Sequence, residues 1–286
     1  MLTFASHLDL CLVFTYGMPV ADMLAHSPPL PLVIAYLNDF HASVEVEESV
    51  VLALRHRDRV RRIRLQRPAS NLQRLILAID REFPMLEYLY FACRRDTSLI
   101  FTTAFRAPHL RHLITMNTAF PIGWPLLMTL WALSRSTQLV PPSASFSPNY
   151  LLNWPSHMPQ LETLRVSFSS AFPSCDVKRQ LLLTPITTYV MLPKLRWFGF
   201  GGVGGYLEAL LPRITPPLLE KFQVSFFDQL TFSTPCLLQI MGTTENLRFG
   251  SARFRFSDYE VVTWVHPHQR ANAYAFYMSF LCSQRD

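Results

Sequence analysis

A six-residue phrase recurs five times along this chain, and it constrains the fold more than any other feature. The copies are Pro84-Met85-Leu86-Glu87-Tyr88-Leu89, Pro108-His109-Leu110-Arg111-His112-Leu113, Pro159-Gln160-Leu161-Glu162-Thr163-Leu164, Pro193-Lys194-Leu195-Arg196-Trp197-Phe198 and Pro217-Leu218-Leu219-Glu220-Lys221-Phe222. The rule is proline, any residue, leucine, glutamate or arginine, any residue, then leucine or phenylalanine. This composition yields about a tenth of one such match by chance, so five copies constitute a structural repeat.

The leading leucines stand at 86, 110, 161, 195 and 219, so successive copies lie 24, 51, 34 and 24 residues apart. The short steps match the ~20–29 residues of a leucine-rich repeat. The longest step leaves room for a hidden unit at Leu127-Met128-Thr129-Leu130, and looser copies stand at Val60-Arg61-Arg62-Ile63-Arg64-Leu65 and around Leu247. Proline suits a strand entrance, where its missing N–H removes no ladder bond. The two large apolar residues of each phrase point inward, and the charged one stays at the wet rim. Beyond the phrase the period becomes two, with Leu164, Val166 and Phe168 alternating with Arg165 and Ser167. That alternation marks a strand with one buried face. Helix-like apolar segments such as Leu72–Ile79 and Tyr206–Leu211 separate the strands. Alternating strand and helix favours parallel pairing, and no single unit can bury its own apolar side. The expectation is an α/β fold, a leucine-rich-repeat-like solenoid with parallel strands on one face and irregular helices on the other. Residues 1–55 read as an N-terminal cap and 56–286 as the degenerate repeat domain.

The chain resembles fungal F-box and leucine-rich-repeat proteins. The resemblance is carried by Ser27–Leu32 (SPPLPL), Leu54–Leu65 (LRHRDRVRRIRL), Ala107–Leu113 (APHLRHL), Met158–Leu164 (MPQLETL) and Tyr206–Lys221 (YLEALLPRITPPLLEK). It implies the substrate-recognition subunit of a cullin-type ubiquitin ligase, whose F-box binds an adaptor while the repeats bind the protein to be ubiquitinated. In that family the F-box lies upstream of the region that begins here at Met1, so residues 1–55 read as a remnant on the C-terminal side of a missing F-box. The C-terminus reads as truncated too. Ala271–Cys282 has the pattern of a buried strand with little chain after it, which predicts an exposed, aggregation-prone apolar edge.

Half of the residues are hydrophobic and 16% are charged, which argues against global disorder. The net charge of +6 is too modest to imply nucleic acid by itself. The five cysteines, Cys11, Cys93, Cys175, Cys236 and Cys282, form no CxxC pair and read as reduced thiols of a cytoplasmic or nuclear protein. The N-terminal apolar run carries His7 and Asp9 without a basic start, unlike a signal peptide. Leu113–Ser134 lacks charged residues, yet Asn117, Pro121, Gly123 and Pro125 break it, so strand and loop fit better than a membrane span.

Three constellations invite chemistry. Gly199-Phe200-Gly201-Gly202-Val203-Gly204 follows a strand and precedes a helix, as a dinucleotide loop does, with Asp228 at the end of the next strand. One reading is a nucleotide-binding enzyme using the Gly199–Gly205 loop, with Gly199, Gly201 and Gly204 against the pyrophosphate. The plainer reading is a permissive turn within a repeat. Arg55, Arg57, Arg59, Arg61, Arg62, Arg64 and Arg67 are dense enough to grip phosphates, though Val60, Ile63 and Leu65 interleave them as in a solvated strand edge. The nine histidines show no HExxH, and His266 and His268 lack further ligands for a metal. No GxSxG elbow or Walker loop occurs.

The expected function is therefore non-enzymatic protein recognition, with no cofactor, metal or membrane. The surface would be formed by residues between the buried ones of each strand, namely Tyr88, Tyr90, His112, Thr163, Arg165, Trp197, Lys221 and Gln223. Aromatic and arginine members are the usual energetic anchors of an interface. The remaining alternatives are an arginine-rich nucleic-acid binder and a shortened product without selected function.

Overall fold

Every proline-led phrase opens with a β-turn. The carbonyl before the proline accepts a hydrogen bond from the leading leucine's N–H. The pairs are Phe83–Leu86 at 3.3 Å, Ala107–Leu110 at 3.1 Å, Met158–Leu161 at 3.0 Å, Leu192–Leu195 at 3.2 Å and Pro216–Leu219 at 3.2 Å. Proline at the second turn position is already fixed near the φ the turn requires. The strands then begin at Tyr88, His112, Thr163, Trp197 and Lys221. Proline thus stands in a turn ahead of the strand rather than at its first residue.

The structure is a computed structural model that describes residues 9–13, 19–37, 44–68, 70–72, 75, 82–94, 99–100, 106–116, 118–119, 127–134, 148–168, 187–227, 234–244, 247, 249–257, 260–267 and 276–281. The chain is mixed α/β and forms two compact units, Met1–Trp124 and Pro125–Asp286, each built on a mostly parallel sheet. No closed barrel is formed by the described strands.

The first unit contains β1 (Leu10–Val13), α1 (Val20–His26), β2 (Leu32–Tyr36), α2 (Val44–Arg55), β3 (Val60–Pro68), β4 (Tyr88–Arg94), β5 (Leu99–Ile100), β6 (His112–Met116) and β7 (Thr118–Ala119). Its strands run β1-β2-β3-β4-β6, all parallel and in chain order, with β5 and β7 as a separate short pair. The boundary expected at residue 55 falls inside this sheet, since β2 and β3 pair across it.

The second unit contains β8 (Thr129–Ser134), α3 (Pro148–Ser156), β9 (Thr163–Phe168), β10 (Val190–Met191), β11 (Trp197–Gly202), α4 (Gly204–Leu210), a 3-10 turn (Leu211–Arg213) and β12 (Ile214–Thr215). It continues with β13 (Lys221–Phe227), α5 (Pro235–Thr243), β14 (Phe249–Ser257), β15 (Glu260–Pro267) and β16 (Phe276–Leu281). The order β8-β9-β11-β13 is parallel and sequential, and β16, β15 and β14 come next. β16 joins β13 in parallel, while β15 and β14 add antiparallel strands. β10 and β12 form a small parallel pair of their own.

A second bonding rule links one phrase to the next. The carbonyl of the fourth residue accepts two N–H groups from the next copy. Glu87 O takes Arg111 N–H at 2.9 Å and His112 N–H at 3.0 Å; Glu162 O takes Arg196 at 2.9 Å and Trp197 at 3.0 Å; Arg196 O takes Glu220 at 2.8 Å and Lys221 at 2.9 Å. This rule exposes the hidden copies. Met128 O takes Glu162 N–H at 2.8 Å and Thr163 N–H at 3.0 Å, so Leu127-Met128-Thr129-Leu130 makes the same link to the next copy. Arg61 O takes Glu87 N–H at 2.9 Å, and a turn from Arg57 O to Val60 N–H at 3.3 Å puts Asp58 where other copies have proline.

The third and sixth residues of the phrases are buried throughout, from Leu86 and Leu89 to Leu219 and Phe222, whereas Met85 and Leu218 at the second position are exposed. Strand register sets Leu164, Phe198 and Phe222 side by side, with the two phenylalanine rings stacked at 5.3 Å. Each such side chain contributes about 1.5–3 kcal/mol by leaving water. Between β3 and β4, residues 70–72 and 75 are helical and bury Leu72 and Leu75, while the rest of Leu72–Ile79 lies outside the described residues.

Two expectations change at the C-terminal end. Leu247 closes the expected turn, its N–H reaching Thr244 O at 3.0 Å, but β14 pairs antiparallel with β15 rather than stacking on β13. β16, expected as an exposed apolar edge, lies between β13 and β15 and is bonded on both sides. Its Phe276, Met278 and Phe280 continue the alternation of Phe222, Val224 and Phe226 in register. Among the described residues no helix is long and apolar enough to cross a membrane. The candidate span Leu113–Ser134 contains β6, β7 and β8, with residues 117 and 120–126 outside the described set.

Candidate recognition face

Alternation along a strand leaves one side of each sheet to solvent, and all eight expected residues fall there as half-buried side chains. In the first unit Tyr88 and His112 are register partners with ring centroids 6.3 Å apart. Tyr90 stands two residues further along β4, with its hydroxyl 3.4 Å from Gln66 Oε1 and from Met116 Sδ. In the second unit Thr163, Trp197 and Lys221 form one cross-strand row, and Arg165, Gly199 and Gln223 the next. The Lys221 ammonium lies 5.2 Å from the Trp197 ring centroid. The sheet therefore brings the residues together as two groups, one per unit.

Gly199, Gly201 and Gly202 are strand residues of β11, and a single residue, Val203, separates that strand from α4. β11 pairs on both sides, with β9 and with β13, so its backbone is committed to the ladder. Nothing resembling a phosphate-cradling loop remains, and Gly204 lies in a helix of 7 residues. The glycines answer a packing need instead. A Cβ on Gly199 would lie 3.1 Å from Arg165 Cγ, and one on Gly201 would lie 2.4 Å from Ser167 Oγ. Gly202 closes the strand at φ 158°, where a Cβ would meet Phe168 and Phe200 ring atoms at 3.1 Å. Asp228 lies outside the described residues.

The arginine run is also divided by the fold. Arg59 is spent on local structure, its Nε donating to Leu30 O at 3.1 Å and its Nη2 to Pro28 O at 2.9 Å. Arg61 sits at the rim, where it bridges Asp9 at 3.3 Å and Glu87 at 3.0 Å. Arg67 points the other way, into the core, where it is 1% exposed and its guanidinium lies 3.4 Å from the Tyr36 ring centroid. Burial pushes the Arg67 guanidinium down and the Tyr36 phenol up from their usual ranges, with the buried Glu47 as a nearby charge. Arg59, Arg61 and Arg67, close in sequence, thus do not share a surface. Arg62 and Arg64 are exposed on the same face as Tyr88, Tyr90 and His112, to which the register joins them. The alternation of Ile63 and Leu65 with Arg62 and Arg64 carried that signal in the sequence.

Behind the sheet of the second unit, Glu208 on α4 reaches the start of α5. Its carboxylate accepts the Cys236 N–H at 2.8 Å and the Leu237 N–H at 3.0 Å. It thereby caps a helix whose own Thr234 makes no side-chain cap bond. Burial, and then the Glu208 hydrogen bond and charge, raise the Cys236 thiol above its usual range. Among the described residues, Cys11 and Cys236 are free thiols, and no cluster of histidine, cysteine or carboxylate side chains could hold a metal. No protein-family model, curated protein or solved structure matches the chain.

Proposed function

We propose that the chain is a non-enzymatic recognition module of leucine-rich-repeat type, a solenoid that binds another protein on its exposed strand face. The resemblance to F-box proteins extends the reading to the substrate-recognition part of a ubiquitin-ligase subunit. The observation that supports it most is that residues chosen by alternation occupy the uncovered side of parallel strands ordered as the repeats are. On that side they form Tyr88–His112 and Trp197–Lys221 pairs. Rigid strands presenting aromatic and cationic side chains are suited to an interface, because little further ordering is needed on binding.

Affinity capture with the full chain tests this reading. Joint replacement Tyr90→Ala, Arg165→Ala and Trp197→Ala is expected to reduce partner recovery by about tenfold or more while leaving the circular dichroism spectrum unchanged. Undiminished recovery by the triple variant would remove the face from consideration. Recovery of the adaptor and cullin together with the target would support the ligase role specifically.

A further inference from the structure

We infer that the face of the first unit takes an extended acidic peptide, its carboxylates held by Arg62 and Arg64; this rests on the strand-face reading above and names the partner's chemistry.

Arg62 and Arg64 are two residues apart on β3 and both exposed, so they project from the same side roughly 6.5–7 Å apart along the strand. Register places Tyr88 beside Arg62 and Tyr90 beside Arg64 on β4, with His112 and Ile114 next on β6. The Arg64 guanidinium lies 5.9 Å from the Tyr90 ring centroid. A ring beside a guanidinium restricts its motion and leaves the planar fork available for a bidentate carboxylate. Two forks at strand spacing match carboxylates at alternate residues of an extended peptide, whose side chains repeat with the same period.

The charge balance points the same way. Among the described residues of that face, no aspartate or glutamate occurs on β1, β2, β3, β4 or β6. The nearest carboxylates along the phrase, Asp9 and Glu87, stand at the rim and are bonded to Arg61. Ile114 and Met116 complete the described face on β6 with apolar surface. Two exposed arginines framed by tyrosine and aliphatic groups fit a peptide better than a nucleic acid, which needs a longer cationic track for its phosphates.

The test uses the full chain and fluorescein-labelled poly(Glu,Tyr) as the acidic probe, read by fluorescence anisotropy at several salt concentrations. A poly(Gln,Tyr) probe and an oligothymidylate serve as references. Binding of poly(Glu,Tyr) is expected to exceed both references and to weaken with salt. Arg62→Ala and Arg64→Ala are each expected to weaken it by about tenfold. Arg62→Lys with Arg64→Lys should restore part of the loss, since charge returns without the fork. Equal binding of poly(Gln,Tyr), tighter binding of the oligothymidylate, or indifference to both alanine variants would overturn the inference. Partner capture separates the two levels: if Arg62→Glu/Arg64→Glu captures normally while the Tyr90/Arg165/Trp197 alanine variant does not, the acidic-peptide inference fails and the face reading stands.

Discussion

Replacing Gly201 by alanine probes why glycines interrupt β11. The new methyl would begin 2.4 Å from Ser167 Oγ and 3.1 Å from Ser167 Cβ on the adjacent strand, with the Ser167 Cα at 3.5 Å. Rotation about χ1 can carry the hydroxyl away, but the Cβ and Cα cannot retreat without moving β9. Overpacking of this kind costs about 1–3 kcal/mol. Against it stands the usual gain of about 0.5–1 kcal/mol for removing glycine from a strand. The net expectation is a loss of roughly 1 kcal/mol, which for a unit of this size lowers Tm by about 2–4 °C. Ser167→Gly opens the space from the other side, so the Gly201→Ala/Ser167→Gly pair should recover most of the loss in a double-mutant cycle. Thermal unfolding by circular dichroism supplies the readout. A higher Tm for Gly201→Ala, or no recovery with Ser167→Gly, would refute the packing explanation. Binding of NAD or ATP by the parent chain, lost on Gly201→Ala with stability intact, would return the glycines to nucleotide chemistry.

Hydrogen bonds and ion pairs carry two further expected outcomes. Glu208→Ala removes the cap of α5 and should cost about 1 kcal/mol in urea unfolding. It should also speed alkylation of Cys236 near neutral pH. The thiol is held above its usual range by burial first and by Glu208 second, so losing Glu208 lowers its pKa and enlarges the thiolate fraction. An unchanged alkylation rate would dismiss the Glu208 contribution. Arg61→Met disconnects Asp9 and Glu87 together. Because the three side chains are 18–31% exposed, the loss should be no more than about 1 kcal/mol and should shrink in 1 M salt. A larger, salt-insensitive loss would mean that Asp9 and Glu87, left without their shared partner, are less well solvated than their exposure indicates.

How much of the fold could be read from the sequence depended on how local the cause was. Proline two residues before leucine encodes a turn by itself, so the five phrases mark the starts of β4, β6, β9, β11 and β13 correctly. The copy at Val60 was legible once the leucine-like positions were weighed above the proline, because Asp58 can occupy the same turn position; the copy at Leu127 keeps Pro125 and departs from the rule only at its fourth residue, Met128. Residues for the exposed face came from alternation, which a strand's geometry enforces whatever its neighbours are. Pairing direction was not local. Phe276, Met278 and Phe280 alternate just as Phe222, Val224 and Phe226 do, and a period of two cannot tell β16 as a central strand from an exposed edge. The glycines admitted two readings, a permissive turn and a nucleotide loop, because a fingerprint records residue types without the neighbouring strand. Only the register that sets Arg165 against Gly199 and Ser167 against Gly201 reveals what the missing side chains make room for.

The fourth position of the phrase carries information about order that its energy alone understates. Arg61, Glu87 and Arg111 alternate in sign through the first unit, and in the second, after the neutral Met128, Glu162, Arg196 and Glu220 alternate. Arg61 meets Glu87 at 3.0 Å, and Arg196 meets Glu220 at 3.0 Å with both side chains at least half exposed. A pair so exposed is worth less than about 1 kcal/mol. Its value lies in the alternatives it disfavours. Near-identical phrases could pair in the wrong order with the same buried leucines, the same turns and the same two-N–H carbonyl acceptor. Skipping one copy, however, would set arginine beside arginine or glutamate beside glutamate at strand spacing, turning each weak attraction into a repulsion of similar size. Since the apolar core is indifferent to which copy comes after which, small terms at the rim are enough to discriminate, and alternating charge is a means by which a repetitive chain can keep its strands in sequence.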